Sequence, residues 1–208
     1  MTSFDTSLSF FGVAILLGLA PGPDNVFVLM QSALRGRRAG LWVVLGLCTG
    51  LIVHTLAVAV GLAAVFAASA RAFTVLKTVG AVYLVWLAWQ AFTAPVDNGT
   101  DGTPPDLGGR AMFGRGVLMN LTNPKVVIFF LAFLPQFVEP EAGAVGLQLV
   151  WLGGLFIAAT LLTFGAIAWF AATLGQWLRR SPTAQRGLNR VAGVVFLGLA
   201  SRLAMAER

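Results

Sequence analysis

Apolar positions along this chain come in long unbroken runs instead of alternating with polar ones, and short clusters of charge separate the runs. A helix needs ~20 apolar residues to cross the hydrocarbon of a bilayer. Six runs approach or exceed that length: Leu8 to Leu34, Leu41 to Ala68, Phe73 to Phe92, Gly116 to Val138, Val145 to Leu174 and Leu188 to Met205. Transmembrane strands would alternate polar and apolar positions, and these runs are apolar on all sides. The pattern therefore predicts an all-α integral membrane protein of six transmembrane helices. The first run is interrupted by Pro21-Gly22-Pro23-Asp24 and the fourth by Thr122-Asn123-Pro124-Lys125. A polar stretch rich in Gly, Pro and Asp lies between the third and fourth runs, from 94 to 114, and reads as a linker.

Composition agrees. Of the 208 residues 58% are hydrophobic and 11% charged, and the mean hydropathy is +0.84. A soluble domain carries about one quarter charged residues, so a solvated surface is excluded, as is a disordered chain. The net charge of +6 would point to nucleic acid if it formed a stripe. Instead it is spread as the positive-inside rule spreads Lys and Arg, so no nucleic-acid partner is expected. With the N-terminus outside, inner loops hold nine basic residues (Arg35, Arg37, Arg38, Arg110, Arg115, Arg179, Arg180, Arg186 and Arg190). The outer side holds four: Arg71, Lys77, Arg202 and Arg208. Both termini are therefore expected on the outer side. The first residues have no basic stretch and no small-residue cleavage site, which does not fit a cleaved signal peptide.

The two halves resemble each other. Lys77-Thr78-Val79-Gly80-Ala81-Val82-Tyr83-Leu84 in the third run and Arg190-Val191-Ala192-Gly193-Val194-Val195-Phe196-Leu197 in the sixth share a basic residue, glycine, valine, an aromatic and leucine at one offset. The proline breaks fall in the first and fourth runs. Residues 1–93 and 115–208 thus read as two three-helix repeats, and because three is odd the second enters the membrane inverted. Inverted repeats with broken helices in matching positions are the layout of secondary transporters, with the site where the breaks meet. The alternative is a chance likeness between apolar helices, which draw on few residue types.

Proline restrains the residue before it, so Pro21-Gly22-Pro23 should end one half-helix near Leu19 and start another at Pro23 or Asp24. Asp24 would sit at a half-helix N-terminus near mid-membrane, either as a functional carboxylate or as a cap that holds the break together. Asn25 beside it can donate and accept. In the second break Asn123 is a good N-cap and Pro124 a good first helical residue. Lys125 is then a cation at the positive end of a helix, which the dipole disfavours. Its partner is either Asp24, a substrate carboxylate, or the inner interface near Arg115, reached by snorkelling. One lysine and one aspartate converging at mid-depth suit a zwitterionic amino acid.

His54, the sole histidine, continues a stripe with Gly46 and Gly50, so it should face a neighbouring helix, for hydrogen bonding or as a proton relay. That Gly46/Gly50 face fits either a second protomer or a helix of the same chain. Gln31 and Thr160 are polar within spans and are further pathway candidates. Cys48 reads as a packing residue, and Trp42 and Trp177 as interface anchors beside Arg38 and Arg179. With one cysteine, one histidine, no HExxH and no Walker A loop, no metal, cofactor, ATP-driven step or enzymatic activity is expected. A passive small-solute channel is the main rival to a transporter.

Pro21-Gly22-Pro23-Asp24-Asn25, the second span from Gly40 through Gly46 and Gly50, and Leu121-Thr122-Asn123-Pro124-Lys125 running to Phe133-Leu134-Pro135-Gln136-Phe137 together resemble the lysine exporter (LysE/RhtB) family of bacterial amino-acid efflux proteins. The likeness spans the whole chain. It implies an inner-membrane protein that exports an amino acid or derivative of threonine-, homoserine-, leucine- or lysine-like character, driven by protons. It also implies Pro23, Asp24, Asn25, Asn123, Pro124 and Lys125 as central-site residues. Many members carry Asn where this chain has Asp24.

Overall fold

The computed structural model describes residues 2–68, 70–93 and 108–205, and within these every regular element is helical. In chain order they are α1 (Phe4–Leu19), α2 (Pro23–Arg35), α3 (Arg37–Ala68), α4 (Ala70–Thr93), α5 (Gly109–Thr122), α6 (Pro124–Ile128), α7 (Val145–Arg180) and α8 (Pro182–Met205). Three of them, α3, α7 and α8, are long and apolar enough to cross a membrane, and five spans result if each bent pair counts as one. In α4 the apolar helix within the described residues is Ala81–Thr93. The pairs are α1 with α2, bent by 64°, and α5 with the helix from Pro124, bent by 51°. Both expected breaks are present. The expected linker lies outside the described residues from 94 to 107, and it ends earlier than its composition implied. Residues from Gly109 already form the first turns of α5.

The exterior is apolar: Val60, Trp89, Leu147 and Val82 are each about two-thirds exposed or more. In lipid such faces add nothing to helix association, so close packing and interhelical hydrogen bonds must hold the bundle together. α3 packs on α2, α5 and α7, α4 on α8, and α1 and α2 on α7. On exchanging the two halves α3–α7 and α4–α8 map to themselves and α3–α5 maps to α7–α1, whereas α2–α3 has no comparable counterpart between α6 and α7.

The tightest seam is α3 against α5. A Cβ placed on Gly46 would run into the Phe113 carbonyl and lie 2.9 Å from the Gly116 Cα. A Cβ on Gly116 would meet the Val43 carbonyl. Met112, Gly116 and Asn120, spaced by four, form the buried stripe of α5 that fits here. This corrects one expectation. The Gly46/Gly50 face is filled by α5 of the same chain, so it offers no surface for a homodimer.

After α6 the backbone does not continue as a regular α-helix. Phe129–Phe133 forms a π turn and Leu134–Phe137 a 3-10 turn. The wider turn brings Phe129, Phe130 and Phe133 inward together, against Phe10 and Phe156. Ring centroids 5.0 to 6.4 Å apart make this a continuous aromatic cluster behind the second break.

At the end of the bundle that carries the N-terminus, Glu139 ties α1 to the start of α7. Its Oε1 accepts from Thr6 Oγ1 at 2.6 Å and from the Ser3 amide at 3.4 Å. Gln148 clasps the Glu139 backbone on both sides, accepting from its N–H at 2.9 Å and donating to its carbonyl at 2.8 Å. The Thr6 hydroxyl holds the Glu139 carboxyl below the usual carboxylate range. A depressed folded-state value means the tie contributes above the ordinary carboxylate range and is lost as pH falls through the lowered value. Amide exchange in the first turn of α1, measured against an unstructured peptide, should therefore rise as pH falls below the ordinary carboxylate range. Glu139→Gln should remove that step.

Candidate functional site

Proline geometry sets the first break. α1 stops at Leu19, Gly22 is extended with φ −171°, and α2 restarts at Pro23, where a missing N–H goes unnoticed. Unwinding leaves carbonyls at the end of α1 without helical donors, and away from water each unsatisfied group is expensive. Side chains satisfy them. Asn25 Nδ2 donates to the Gly18 carbonyl at 2.7 Å. Lys125 Nζ, from the other break, donates to the carbonyls of Leu17 and Ala20, both at 3.3 Å.

The second break is built from Asn123. Its Oδ1 accepts from the Lys125 amide at 3.0 Å, capping α6 at Pro124 as the sequence indicated. Its Nδ2 donates to Asp24 Oδ2 at 2.8 Å. Each break therefore supplies a group that completes the other. This resolves the oddity of Lys125: the ammonium starts a helix whose dipole opposes it, yet lies against the C-terminal carbonyls of α1, where a cation is favoured. Lys125 is 6% exposed and enclosed by protein, so it does not snorkel towards Arg115.

Asp24 and Lys125 interact through their charges without a direct hydrogen bond, since Asp24 Oδ2 serves Asn123 and Oδ1 has no hydrogen-bond partner among the described residues. Both line one pocket with Asn120 and Thr160. Leu17, Leu47, Val126, Phe156 and Phe164 make its apolar wall, and Gly18 leaves room at the end of α1. Its empty volume, counted out to the open mouth, is about 330 Å³. Among the described residues, no group of three His, Cys, Asp or Glu side chains is placed to hold a metal ion.

Six expected site residues, Pro23, Asp24, Asn25, Asn123, Pro124 and Lys125, meet at this junction. Of the six, Asp24 and Lys125 line the pocket, where Thr160 joins them. His54 sits one layer behind: its Nε2 donates to the Asn120 carbonyl at 3.3 Å and its ring lies 5.6 Å from that of Phe130. Gln31 is buried two turns along α2 from Asp24 and is not part of the pocket wall. Cys48 packs with Val44 and Leu47. Trp42 lies against Gly109 at the start of α5 and is half exposed; the Trp177 side chain is outside the described residues. Sequence reasoning passed over Asn120. It stands one turn before Asn123 and so shares its face, and it is a lone amide in an apolar helix, which was the available signal.

Comparison with known proteins gives this geometry a family. The model of the LysE type translocators matches residues 11–207. A membrane protein of Vibrio cholerae, described only as uncharacterised, is 35% identical over 205 residues, covering 96% of this chain and 97% of its own. The homoserine/homoserine lactone efflux protein of Salmonella typhimurium is 32% identical over 207 residues, covering 99% and 98%. No solved structure matches. A match over nearly the whole length takes in both proline breaks and both spans that face them, and the chain belongs to the LysE type translocators, a family of membrane transporters and not of enzymes.

Proposed function

We propose that this chain is a secondary exporter that moves a small amino acid or close derivative out across the bacterial inner membrane in exchange for protons. The observation that carries the reading is the reciprocal joining of the two breaks, which sets one ammonium and one carboxylate at a single buried pocket. Lys125 takes the substrate carboxylate. Asp24 takes either the substrate ammonium or a proton. Because one carboxylate cannot hold both, each arriving partner displaces the other, and exchange follows from occupancy alone. The homoserine-exporting relative supports a substrate of threonine- or homoserine-like size, with leucine- and lysine-like ones as the family's other options.

The layout proposed is six spans, with α1/α2, α3 and α4 forming one unit and α5/α6, α7 and α8 its inverted counterpart, joined through the polar segment after residue 93. The contacts α3–α7 and α4–α8, and α3–α5 with its counterpart α7–α1, support this. Rocking one unit against the other would open the pocket to each side in turn, as in other inverted-repeat transporters. Both termini are assigned to the periplasm from the distribution of Lys and Arg.

The test is transport of a labelled amino-acid panel by proteoliposomes with and without an imposed pH gradient. Saturable flux that the gradient accelerates is the expected result. Asp24→Asn should lose about 10-fold or more of the gradient-driven rate while keeping substrate-for-substrate exchange, since the amide still accepts a hydrogen bond but carries no proton. Flux that never saturates and ignores both the gradient and Asp24→Asn would mean a passive pore.

A further inference from the structure

The stripe formed by Gly46, Gly50 and His54 does more than pack two helices. Gly46 lies on Gly116, which lets α5 approach α3 closely enough for Asn120 to enter the notch left by Gly50. A Cβ on Gly50 would lie 2.6 Å from Asn120 Oδ1 and 2.7 Å from Asn120 Cβ. One turn on, His54 holds the Asn120 carbonyl. Three residues of one helix thus fix the position of one amide on another. Asn120 is 3% exposed and lines the pocket, yet its Oδ1 has no hydrogen-bond partner among the described residues. Packing alone would be served as well by a leucine, which carries no buried acceptor. Asp24, also 3% exposed, brings to the same pocket a second buried oxygen without a partner.

We propose that Asn120 is a substrate-contacting residue that, with Asp24, receives the α-ammonium group and restricts the substrate to neutral amino acids. The inference rests on the pocket being the amino-acid site. Two buried acceptors without partners suit a group with three N–H donors, and Lys125 at the same pocket suits the carboxylate. Charge then balances: one carboxylate and one ammonium on the protein meet one of each on the ligand. The remaining walls near Thr160 are Leu47, Val126, Phe156 and Phe164. They present an apolar lining and no carboxylate for a second cation. A dibasic amino acid would place an unpaired ammonium against those rings.

The experiment is inhibition of labelled neutral amino-acid transport in proteoliposomes by three unlabelled competitors. These are the same amino acid, its 2-hydroxy-acid analogue, and a dibasic amino acid. Wild type should favour the amino acid over the hydroxy acid by at least about 100-fold, because the analogue leaves buried acceptors unpaired. Asn120→Leu should cut that ratio about 10-fold or more. Asn120→Asp should raise that ratio about 10-fold or more, since it sets a second carboxylate against the α-ammonium. This second variant decides the matter if Asn120→Leu does not yield a monodisperse protein. An unchanged ratio in Asn120→Leu overturns the proposal, as does an equal loss towards all three competitors in both variants. Wild-type protein that no amino acid inhibits would instead overturn the pocket assignment on which the proposal stands.

Discussion

Lys125→Ala should abolish transport and also lower the thermal unfolding midpoint in detergent by on the order of 10 °C. The two losses have different origins, and a second variant separates them. The ammonium satisfies the carbonyls of Leu17 and Ala20 at the broken end of α1 and faces the Asp24 charge across the pocket. Removing one member of a buried charged arrangement typically costs about 3–5 kcal/mol, chiefly because the partners are left without a counterpart. For a chain of this length that is a Tm change of roughly 2–4 °C per kcal/mol. Lys125→Gln keeps a donor of similar reach and should recover part of the stability, since the carbonyls need a hydrogen bond and not a charge. It should not recover transport, because a substrate carboxylate needs the charge. Transport in Lys125→Gln at half the wild-type rate or better would remove Lys125 from the carboxylate role and leave it as a brace between the breaks.

The breaks were readable because proline and its neighbours act locally. Pro21-Gly22-Pro23 can only interrupt a helix, and Asn123-Pro124 can only begin one, so the end at Leu19 and the starts at Pro23 and Pro124 followed from backbone chemistry. What the breaks do for each other was not readable in that way. That Lys125 caps α1 and that Asn123 reaches Asp24 depends on residues about 100 positions apart meeting in space, which no local rule encodes. The sequence placed Lys125 against its own helix dipole and could not supply the opposing dipole. The π turn at Phe129–Phe133 escaped notice for a related reason: a run of apolar residues looks the same whether its turns hold 3.6 residues or more. Asn120 was overlooked because attention followed charge, whereas its significance comes from the notch opposite, at Gly50. The glycine stripe was visible as a packing face, but its partner was not. Only the fold assigns it to α5 and so closes it to a second protomer.

Gly46→Ala should lower the unfolding midpoint by roughly 5 °C, and Gly46→Leu should prevent a monodisperse protein from forming. An added Cβ at this position meets backbone, the Phe113 carbonyl and the Gly116 Cα, which cannot turn aside as a side chain does. The helices must separate, and overpacking of this kind typically costs about 1–3 kcal/mol for small additions and more for large ones. The matched control is Gly154→Ala in α7, where nothing lies within 4 Å of the new Cβ. There the change should be neutral or slightly stabilising, because alanine favours the helix over glycine by about 0.5–1 kcal/mol. Gly116→Ala should resemble Gly46→Ala. The double variant should be less destabilised than the sum of the two, since the first substitution already opens the seam that the second would occupy. The effect should also reach transport. α5 carries Asn120 and leads directly into Asn123, so a displacement of this helix moves a polar group of the pocket wall together with the amide that holds Asp24. Gly46→Ala should therefore lose selectivity between competing amino acids at temperatures where the protein is still folded, while Gly154→Ala keeps it. Equal melting points for the two variants would mean that the α3–α5 seam is looser than its backbone contacts indicate.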